Sequence, residues 1–277
     1  MTPPLQAALA TRPTAPVMTR ATLRGFERVA VPACSWLNTS KSAKHVVQWA
    51  VRQASARWVY FLTGPRLELH GFEAIRALKP PSSVLLVSNH RSFFDMYIAS
   101  ALLYRRTDVL DCIYFPVRSR FFYDNPLGLA MNLAISGGAM WPPVFQDERR
   151  RELNPIGSQQ LIHVLQDRGN AVGIHPEGTR GRGPDPHELL PPRPGVGRLV
   201  AGAPDDTLVL PFFILGPSDS LAVEVRRRFT SGAPNIRMRW APPVFARDLK
   251  PLGDDVTIAQ HLHRTLQELA QADADRT

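Results

Sequence analysis

The sequence has 277 residues, of which 44% are hydrophobic and 21% charged, and its formal net charge is +9. This length and composition are sufficient for one large or two small globular domains with a substantial core. Two cysteines are too few for a disulfide framework or a cysteine-rich metal site. No run of about 20 apolar residues occurs, so the sequence predicts no transmembrane segment.

The positive charge is concentrated near the N-terminus. Residues 1–66 contain seven arginines and two lysines but one acidic residue, whereas basic and acidic residues nearly balance in the rest of the chain. A local surplus of this kind points to an anionic partner, either a phospholipid surface or nucleic acid. Five prolines fall within residues 1–40, and we expect the first twenty or so residues to be a flexible arm rather than a targeting signal.

Residues 41–62 have the periodicity of a helix. Apolar residues recur there on one side, with Lys44 and Arg57 near the edges of the stripe, where long side chains can reach the surface. Trp49 and Val59 lie off the stripe. The stripe itself consists of Val46, Val47, Ala50, Val51, Ala54, Trp58, Phe61 and Leu62. The pattern predicts a basic amphipathic helix, which either packs on the core or lies on an anionic membrane.

Short apolar runs alternate with helical periods from about residue 67. They predict buried strands at 84–88, 171–175 and 208–215. Helical periods lie between these runs at 93–103 and 157–166. This order is typical of an α/β fold.

The C-terminal part predicts further strands. Residues 221–229 (LAVEVRRRF) and 235–240 (NIRMRW) have the composition of two strands joined by a loop. We therefore expect a mixed, mostly parallel sheet flanked by helices. A final polar helix at 257–272 is expected to cover a surface. The sequence thus divides into a flexible basic arm with an amphipathic helix at 1–66 and an α/β domain at 67–277.

Chemically active side chains follow the first of these strands. In VLLVSNHRSFFDMY (84–97), His90 comes at the end of the apolar run and Asp95 lies about one helical turn further on. A carboxylate that accepts the proton of one imidazole nitrogen leaves the other nitrogen as a base. Neither Ser88 nor Ser92 stands in a G-x-S-x-G setting. The simplest reaction therefore has a substrate hydroxyl as nucleophile, deprotonated by His90; the alternative is a structural hydrogen bond at a helix start.

A second polar stretch, HPEGTR (175–180), follows another predicted strand. In open α/β sheets the carboxyl ends of strands are where ligands bind. Arg180 can bind a phosphate bidentately, and the backbone at Gly178 and the hydroxyl of Thr179 can share it. Glu177 could accept a hydrogen bond from a substrate hydroxyl or hold Arg180 in place. The alternative is a charged surface turn.

Taken together, NHRSFFD (89–95) and HPEGTR (175–180) resemble two sequence blocks of the glycerolipid acyltransferase superfamily, which includes lysophosphatidate and glycerol-3-phosphate acyltransferases. The blocks occur in the family's order and at a family-like spacing. A proline-containing apolar strand at 209–211 stands where a further block would lie. The resemblance covers roughly residues 67–245.

The resemblance implies acyl transfer from a thioester, either acyl-CoA or acyl carrier protein, to a hydroxyl of a lysophospholipid such as lysophosphatidate. His90 would be the general base and Asp95 its orienting partner. Glu177, Gly178 and Arg180 would bind the glycerol phosphate of the acceptor, beside Thr179 in the same block. No metal or redox cofactor is expected.

The sequence departs from the family pattern in two places. The block at 175–180 opens with His175, where the family usually has Phe. The family's second block, a glycine followed two residues later by Phe-Ile-x-Arg, has no arginine in register within 138–151. Arg149 or Arg150 could replace that arginine, or the acceptor could be something other than plain lysophosphatidate.

Arginines and aromatic residues alternate in YFPVRSRFFY (114–123). Arg118 could contact a phosphate or CoA there, and the alternative is that the run forms packing and a rim beside the site.

These features predict a peripheral membrane enzyme on the cytoplasmic, inner face of an anionic membrane. A CoA-independent transacylase and a non-catalytic membrane-binding module that keeps the fold are the alternatives. A nucleic-acid-binding protein would leave both family blocks unexplained, so no nucleic-acid partner is expected.

Overall fold

The structure is a computed structural model that describes residues 17–78 and 82–276. Most of the predicted flexible arm lies in residues 1–16, outside the described residues. Within the described part of the chain, eight strands form one sheet. They are β1 (Leu67–His70), β2 (Ser83–Ser88), β3 (Cys112–Arg118), β4 (Met140–Val144), β5 (Asn170–Ile174), β6 (Leu208–Leu215), β7 (Ile236–Trp240) and β8 (Val244–Phe245).

The sheet is mixed and mostly parallel, as the sequence predicts. The strand order is β1-β7-β6-β2-β5-β3-β4, and β8 pairs with β6 off this path. The pairs β1·β7, β2·β6, β2·β5, β3·β5 and β3·β4 are parallel. Only β6·β7 and β6·β8 are antiparallel among the described pairs. The central strands β2, β5 and β6 are nearly continuous apolar runs because helices cover both faces of the sheet.

Twelve helices surround the sheet in the described part of the chain. They are α1 (Glu27–Thr39), α2 (Lys41–Gln53), α3 (Ser55–Thr63), α4 (Phe72–Arg76), α5 (Asp95–Arg106), α6 (Ser119–Phe122), α7 (Pro126–Ser136), α8 (Asn154–Leu165), α9 (Gly195–Gly202), α10 (Leu221–Arg228), α11 (Ala246–Leu249) and α12 (Asp255–Ala274). Within the described ranges, no helix is both long enough and apolar enough to cross a bilayer.

Alternate residues of β2 contribute to two apolar layers, one on each face of the sheet. Val84 and Leu86 pack in the layer that contains α5, whose residues from Asp95 to Tyr104 are all buried. Leu85 and Val87 pack in the opposite layer with α9 and α12. Helix α5 is thus held between the sheet and α3, so its first turn is rigidly placed at the end of β2.

The prediction of a strand at 221–229 is wrong, because these residues form α10. The helix turns Glu224 into the protein, where its carboxylate binds the buried Arg66 and also Arg227. Leu221 and Val225, one turn apart, face solvent instead. The buried ion pair between Glu224 and Arg66 therefore holds this segment as a helix. Because Arg66 is far away in the sequence, an alternating apolar pattern does not reveal the pair. The strand predicted at 235–240 is confirmed as β7.

The predicted single helix at 41–62 is broken at Ala54 into α2 and α3. In α3 only Leu62 of the predicted stripe is buried; Trp58 and Phe61 are exposed, and the other buried residues, Ala56 and Val59, lie off the stripe. In α2 the orientation is reversed: Lys44 and Gln48 are buried, while Val46 and Trp49 are exposed by 67% and 65%.

Lys44 lies inside the protein, not at the edge of an apolar stripe as the sequence pattern predicts. Its Nζ donates to Asn38 Oδ1 at 2.7 Å and lies 3.9 Å from the centre of the Tyr114 ring. Gln48 is held in a similar way, because its Oε1 accepts from the hydroxyl of Tyr104 at 2.9 Å. Burial lowers the pKa of Lys44 to about 7. These polar contacts offset the cost of burying α2's polar side and leave its apolar side outward.

Candidate active site

Two parallel neighbours, β2 and β5, bring the two predicted blocks together. Val87 of β2 pairs with Ile174 of β5, so the residues that follow both strands emerge at the same edge of the sheet. The rings of His90 and His175 stack there, with centroids 4.0 Å apart and planes inclined by 4°. The structure therefore joins two stretches that are more than eighty residues apart in sequence.

The predicted contact between His90 and Asp95 is present. His90 Nδ1 lies 3.2 Å from Asp95 Oδ2, and the same oxygen accepts the backbone N–H groups of Arg91 and Ser92 at 2.8 and 2.7 Å. Asp95 is the first residue of α5 and is completely buried. Its other oxygen, Oδ1, has no hydrogen-bond partner among the described residues. Asp95 thus combines the two roles that the sequence left as alternatives, a partner for His90 and a carboxylate at a helix start.

Burial and nearby cations determine the charge of the pair. Burial raises the pKa of Asp95 to about 7. Burial, followed by the positive charges of Arg180 and Arg118, lowers the pKa of His90 to about 4. His90 is therefore neutral near pH 7. With its proton on Nδ1, facing Asp95, the lone pair of Nε2 is free to accept a proton from a substrate.

His175 is a neutral neighbour of His90. Its Nδ1 lies 2.8 Å from the carbonyl oxygen of Asn89 and 3.2 Å from that of Ser88. Carbonyl oxygens only accept hydrogen bonds, so the proton of His175 is on Nδ1. Burial and the adjacent His90 lower the pKa of His175 to about 3. A ring that stays neutral and turns one nitrogen toward the backbone stacks on His90 much as the family's usual Phe would.

Glu177 supports the backbone of His90. Its Oε1 accepts the N–H of His90 at 2.8 Å, its Oε2 accepts the N–H of Leu190 at 3.0 Å, and its side chain is buried. The carbonyl oxygen of His90 accepts from the N–H of Gly181 at 2.8 Å. His90 is therefore fixed from both sides of its peptide by the loop after β5. Glu177 does not pair with Arg180, and its predicted contact with a substrate stays a prediction.

The carboxylate beside Arg180 is Asp219, which the sequence reasoning missed. Arg180 Nη1 lies 2.7 Å from Asp219 Oδ1, and this oxygen also accepts the N–H of Phe93 at 2.8 Å. Asp219 lies in the loop after β6, in the stretch GPSDS, which carries no motif that would mark it. Its role depends on the pairing of β6 beside β2, which is visible only in the fold.

Arginines gather on the open side of the site. Arg118, the last residue of β3, donates from Nη2 to Thr179 Oγ1 at 2.7 Å. Burial and the charges of Arg180, Arg182 and Arg193 lower the pKa of Arg118, which places four guanidinium groups in one neighbourhood. Such a concentration of cations favours a bound anion.

Gly178 shapes the turn beneath these arginines. It has a φ of +66°, and a Cβ at this position would lie 2.8 Å from Cδ of Arg193, so the turn requires glycine. Its N–H already donates to the carbonyl oxygen of His175 at 3.0 Å. The groups available to an anion here are consequently guanidinium groups rather than this amide.

The two arginines considered for the missing family arginine lie elsewhere. Arg150 binds Glu27 of α1 through two hydrogen bonds of 3.2 and 2.5 Å. Its guanidinium also lies over the ring of Phe145. Arg149 is exposed on the turn after β4. Arg118, by contrast, pairs in register with Val144 at the end of the degenerate second block.

The described residues include no group of three or more His, Cys, Asp or Glu side chains that could hold a metal ion.

Comparisons with known proteins agree with this fold. The family model described as Acyltransferase matches residues 66–215. The crystal structure of the 1-acyl-sn-glycerophosphate (LPA) acyltransferase PlsC from Thermotoga maritima is similar to this one, with a TM-score of 0.52 and 15% identity over 88% of this chain and 86% of that chain. A search of curated protein sequences finds no significant match. Because the matched region contains both predicted blocks and more than half of the chain, this protein belongs to the Acyltransferase family.

Proposed function

We propose that this protein transfers a fatty acyl chain from an acyl thioester to a hydroxyl group of a phosphate-bearing glycerolipid such as lysophosphatidate. The observation that carries this proposal is the combination of a neutral histidine, held by a buried carboxylate, with a cluster of arginines that acts on it electrostatically. The histidine is suited to deprotonate a hydroxyl, and the arginines are suited to hold a phosphate of the same molecule.

The reaction needs no nucleophile from the protein. Nε2 of His90 takes the proton of the acceptor hydroxyl while the hydroxyl oxygen attacks the thioester carbonyl. The resulting tetrahedral intermediate collapses, the C–S bond breaks, and the thiolate takes the proton from the imidazolium. Asp95 stabilises the imidazolium between these two steps. The products are an ester and a free thiol.

We propose that Arg118 replaces the arginine missing from the family's second block. Its register opposite Val144 brings it to the edge of the sheet where that block ends, and its charge acts on His90. Together with Arg180 it would hold the acceptor phosphate, so that the hydroxyl reaches Nε2 of His90.

A narrow apolar pocket lies near the site. It lies between α3, α5 and β3 and includes Tyr97, Ala101 and Phe115 in its lining. The ring of Phe93, three residues beyond His90, lies 5.4 Å from the ring of Tyr97. We propose that the chain passes Phe93 and packs on the apolar side chains that line this pocket, where its transfer from water is favourable.

A thiol-release assay tests the proposed reaction. Acyl-CoA and acyl carrier protein donors are offered with lysophosphatidate, glycerol 3-phosphate or lysophosphatidylglycerol as separate acceptors. We expect release that depends on one of these acceptors. The absence of acceptor-dependent release with every thioester would contradict the proposal, and ester formation from a phospholipid donor instead would identify a transacylase.

Replacing Arg180 with alanine should raise the KM of the acceptor about 10- to 100-fold, because a hydrogen bond to a charged group contributes roughly 1.5–3 kcal/mol. The turnover number should change less, since His90 and Asp95 remain in place. Steady-state kinetics at varied acceptor and saturating donor give both constants. Arg149→Ala removes an exposed arginine outside this cluster and should leave the KM unchanged; an unaltered KM in Arg180→Ala would exclude Arg180 from the phosphate site.

Exposed apolar side chains on α1 and α2 are suited to membrane contact. Trp36, Val46 and Trp49 are exposed by 66%, 67% and 65%. Basic residues are concentrated in the same part of the chain. Tryptophan and basic side chains together favour the interface of an anionic bilayer. We propose that this surface holds the enzyme on the membrane.

The double variant Trp36→Ser/Trp49→Ser should bind anionic vesicles about tenfold or more weakly, because two large interfacial side chains are lost. Both indoles project into solvent, so the thermal melting temperature should not change. Sedimentation with vesicles measures the binding. Val256→Ser on α12, which is also exposed, serves as the control. Equal vesicle binding by the double variant and the parent protein would exclude this surface.

A further inference from the structure

A second group of arginines lies at the other end of α5 from Asp95. An open groove of about 460 Å³ is lined there by Arg57, Tyr60, Phe61, Gly64, Pro65, Arg105, Arg106 and Arg228. Arg105 and Arg106 belong to the last turn of α5, whereas Asp95 begins the helix. At 1.5 Å per residue, the two ends of α5 are about 16 Å apart. The groove is therefore separate from the site around His90.

Within residues 17–78 and 82–276, no carboxylate neutralises the positive charge of this groove. None of its lining residues is acidic, and neither Arg57 nor Arg105 forms an ion pair with any described residue. Arg106 and Arg228 are held by neutral groups: Nε of Arg106 donates to the Tyr60 hydroxyl at 2.7 Å, and Nε of Arg228 to the carbonyl oxygen of Phe61 at 2.9 Å. These bonds orient the two guanidinium groups without using their charge.

Other arginines of this chain are paired with carboxylates. Arg237 and Arg239 both bind the carboxylate of Asp273 at 2.8 Å. Arg66 binds Glu224. Those guanidinium groups have a structural partner that offsets their charge, and the groove's four have none among the described residues. An anion bound between four like charges is attracted by all of them.

Tyr60 and Phe61 form an aromatic wall of the groove, and further exposed rings lie on α3 and just after α10. The guanidinium of Arg228 lies 4.6 Å from the centre of the Phe61 ring and 5.7 Å from that of Phe229. Phe61 and Phe229 are exposed by 51% and 73%, and Trp58 of α3 by 42%. Arginine and exposed aromatic rings side by side suit the boundary between the headgroups and the hydrocarbon of a bilayer, because the rings can enter the apolar region while the guanidinium groups meet phosphates.

We propose that this groove is a second anion site, which binds the phosphate of an anionic phospholipid headgroup and so fixes how the enzyme lies on the membrane. The planar guanidinium group matches two phosphate oxygens, and four such groups can hold one or two headgroups bidentately. The aromatic wall favours a phosphate that carries lipid chains over a free one. The site does not depend on the proposed reaction, so it can be tested in a protein that cannot catalyse it.

The test uses the full chain carrying His90→Ala, so that no lipid is converted. Arg57→Gln and Arg105→Gln are introduced together, because neither side chain has a structural ion pair that its removal would break. The matched control is Arg264→Gln/Arg276→Gln, which removes the same charge from exposed positions in and just after α12. Binding is measured by sedimentation with phosphatidylcholine vesicles with or without phosphatidylglycerol. Thermal melting verifies that each variant is folded.

Loss of the two groove arginines should weaken binding to phosphatidylglycerol-containing vesicles about 30-fold, since each basic residue near an anionic surface contributes roughly a factor of five. The control pair of substitutions should weaken this binding much less. Binding to vesicles of phosphatidylcholine alone should be the same in all the proteins. Equal losses in the two pairs would show a general electrostatic effect and overturn the proposal.

Two further measurements separate a specific pocket from a charged patch. Arg57→Lys/Arg105→Lys keeps both charges but loses the bidentate geometry, so a specific site predicts weaker vesicle binding, and unchanged binding would contradict it. Calorimetry measures the binding of inorganic phosphate and of water-soluble glycerophosphoglycerol, which is the headgroup without its acyl chains. Tight binding of either soluble compound, lost in the glutamine pair while vesicle binding is retained, would assign the groove to a free phosphate ligand instead.

Discussion

Replacing His90 with alanine should lower kcat/KM by about 10²- to 10⁴-fold, the usual range for loss of a general base. The variant should fold normally. The side chain contributes one contact to Asp95, while the backbone of His90 is held independently through Glu177 and Gly181. Thiol release at varied acceptor concentration gives kcat/KM, and thermal melting verifies the fold.

His175→Phe is the matched control for this variant. It keeps an aromatic ring stacked on His90 and restores the residue usual in the family, but it removes the second imidazole. Because His175 already donates its Nδ1 proton to the backbone and stays neutral, we expect the activity of His175→Phe to remain within about tenfold of the parent. An activity above a tenth of the parent in His90→Ala would show that His90 is not the base, and a loss of equal size in His175→Phe would show that the second imidazole is needed as well.

Local patterns predict the part of the fold that surrounds His90. The buried strands β2, β5 and β6 are confirmed because parallel strands covered on both faces are continuous apolar runs, which are visible in the sequence. The spacing of five residues between His90 and Asp95 also suffices to predict their contact, since the turn and the start of α5 lie within one short segment.

The remaining features depend on partners that are distant in sequence. Glu177 reaches the His90 backbone across the β2·β5 pair, and Asp219 reaches Arg180 from the loop after β6. A carboxylate in a loop has the same appearance in a sequence whether it binds substrate, an arginine or a backbone amide. Geometry is needed to tell these roles apart.

The orientation of helix α2 also depends on residues outside the helix. Hydrophobic periodicity assigns the apolar side of a helix to the interior. Here Lys44 and Gln48 face inward because Asn38 and Tyr104 supply hydrogen-bond partners for them. The outward apolar side is then available for a membrane. The polar side of this helix packs on the protein, so packing and membrane contact do not exclude each other.

Asp95→Asn should lower kcat by about 10²-fold or more while preserving the geometry of the loop. All three hydrogen bonds to Asp95 end on Oδ2, so an amide oxygen at the same place can still accept from His90 Nδ1, Arg91 and Ser92. The tautomer of His90 is then retained and only the negative charge is lost. In the proposed reaction His90 becomes an imidazolium, which Asp95 would stabilise and the charges of nearby arginines oppose.

The pH dependence separates this charge effect from a structural one. Burial raises the pKa of Asp95 to about 7, so the parent enzyme should lose activity as the pH falls through neutrality and the pair takes up a proton. In Asp95→Asn that protonation cannot occur on residue 95. Of the pair, only His90 can then gain a proton, and burial lowers its pKa to about 4. The reduced activity of the variant should therefore stay constant from about pH 8 to pH 5.

Asp219→Asn is the charge-matched control, because it removes a carboxylate from the same site without touching the partner of His90. Its main effect should be on the KM of the acceptor, through Arg180, and it should keep the loss of activity near neutral pH. If Asp95→Asn kept this acid limb as well, the limb would belong to another group. If its kcat equalled that of the parent, Asp95 would serve only to hold the start of α5, and the imidazolium would be stabilised without a neighbouring carboxylate.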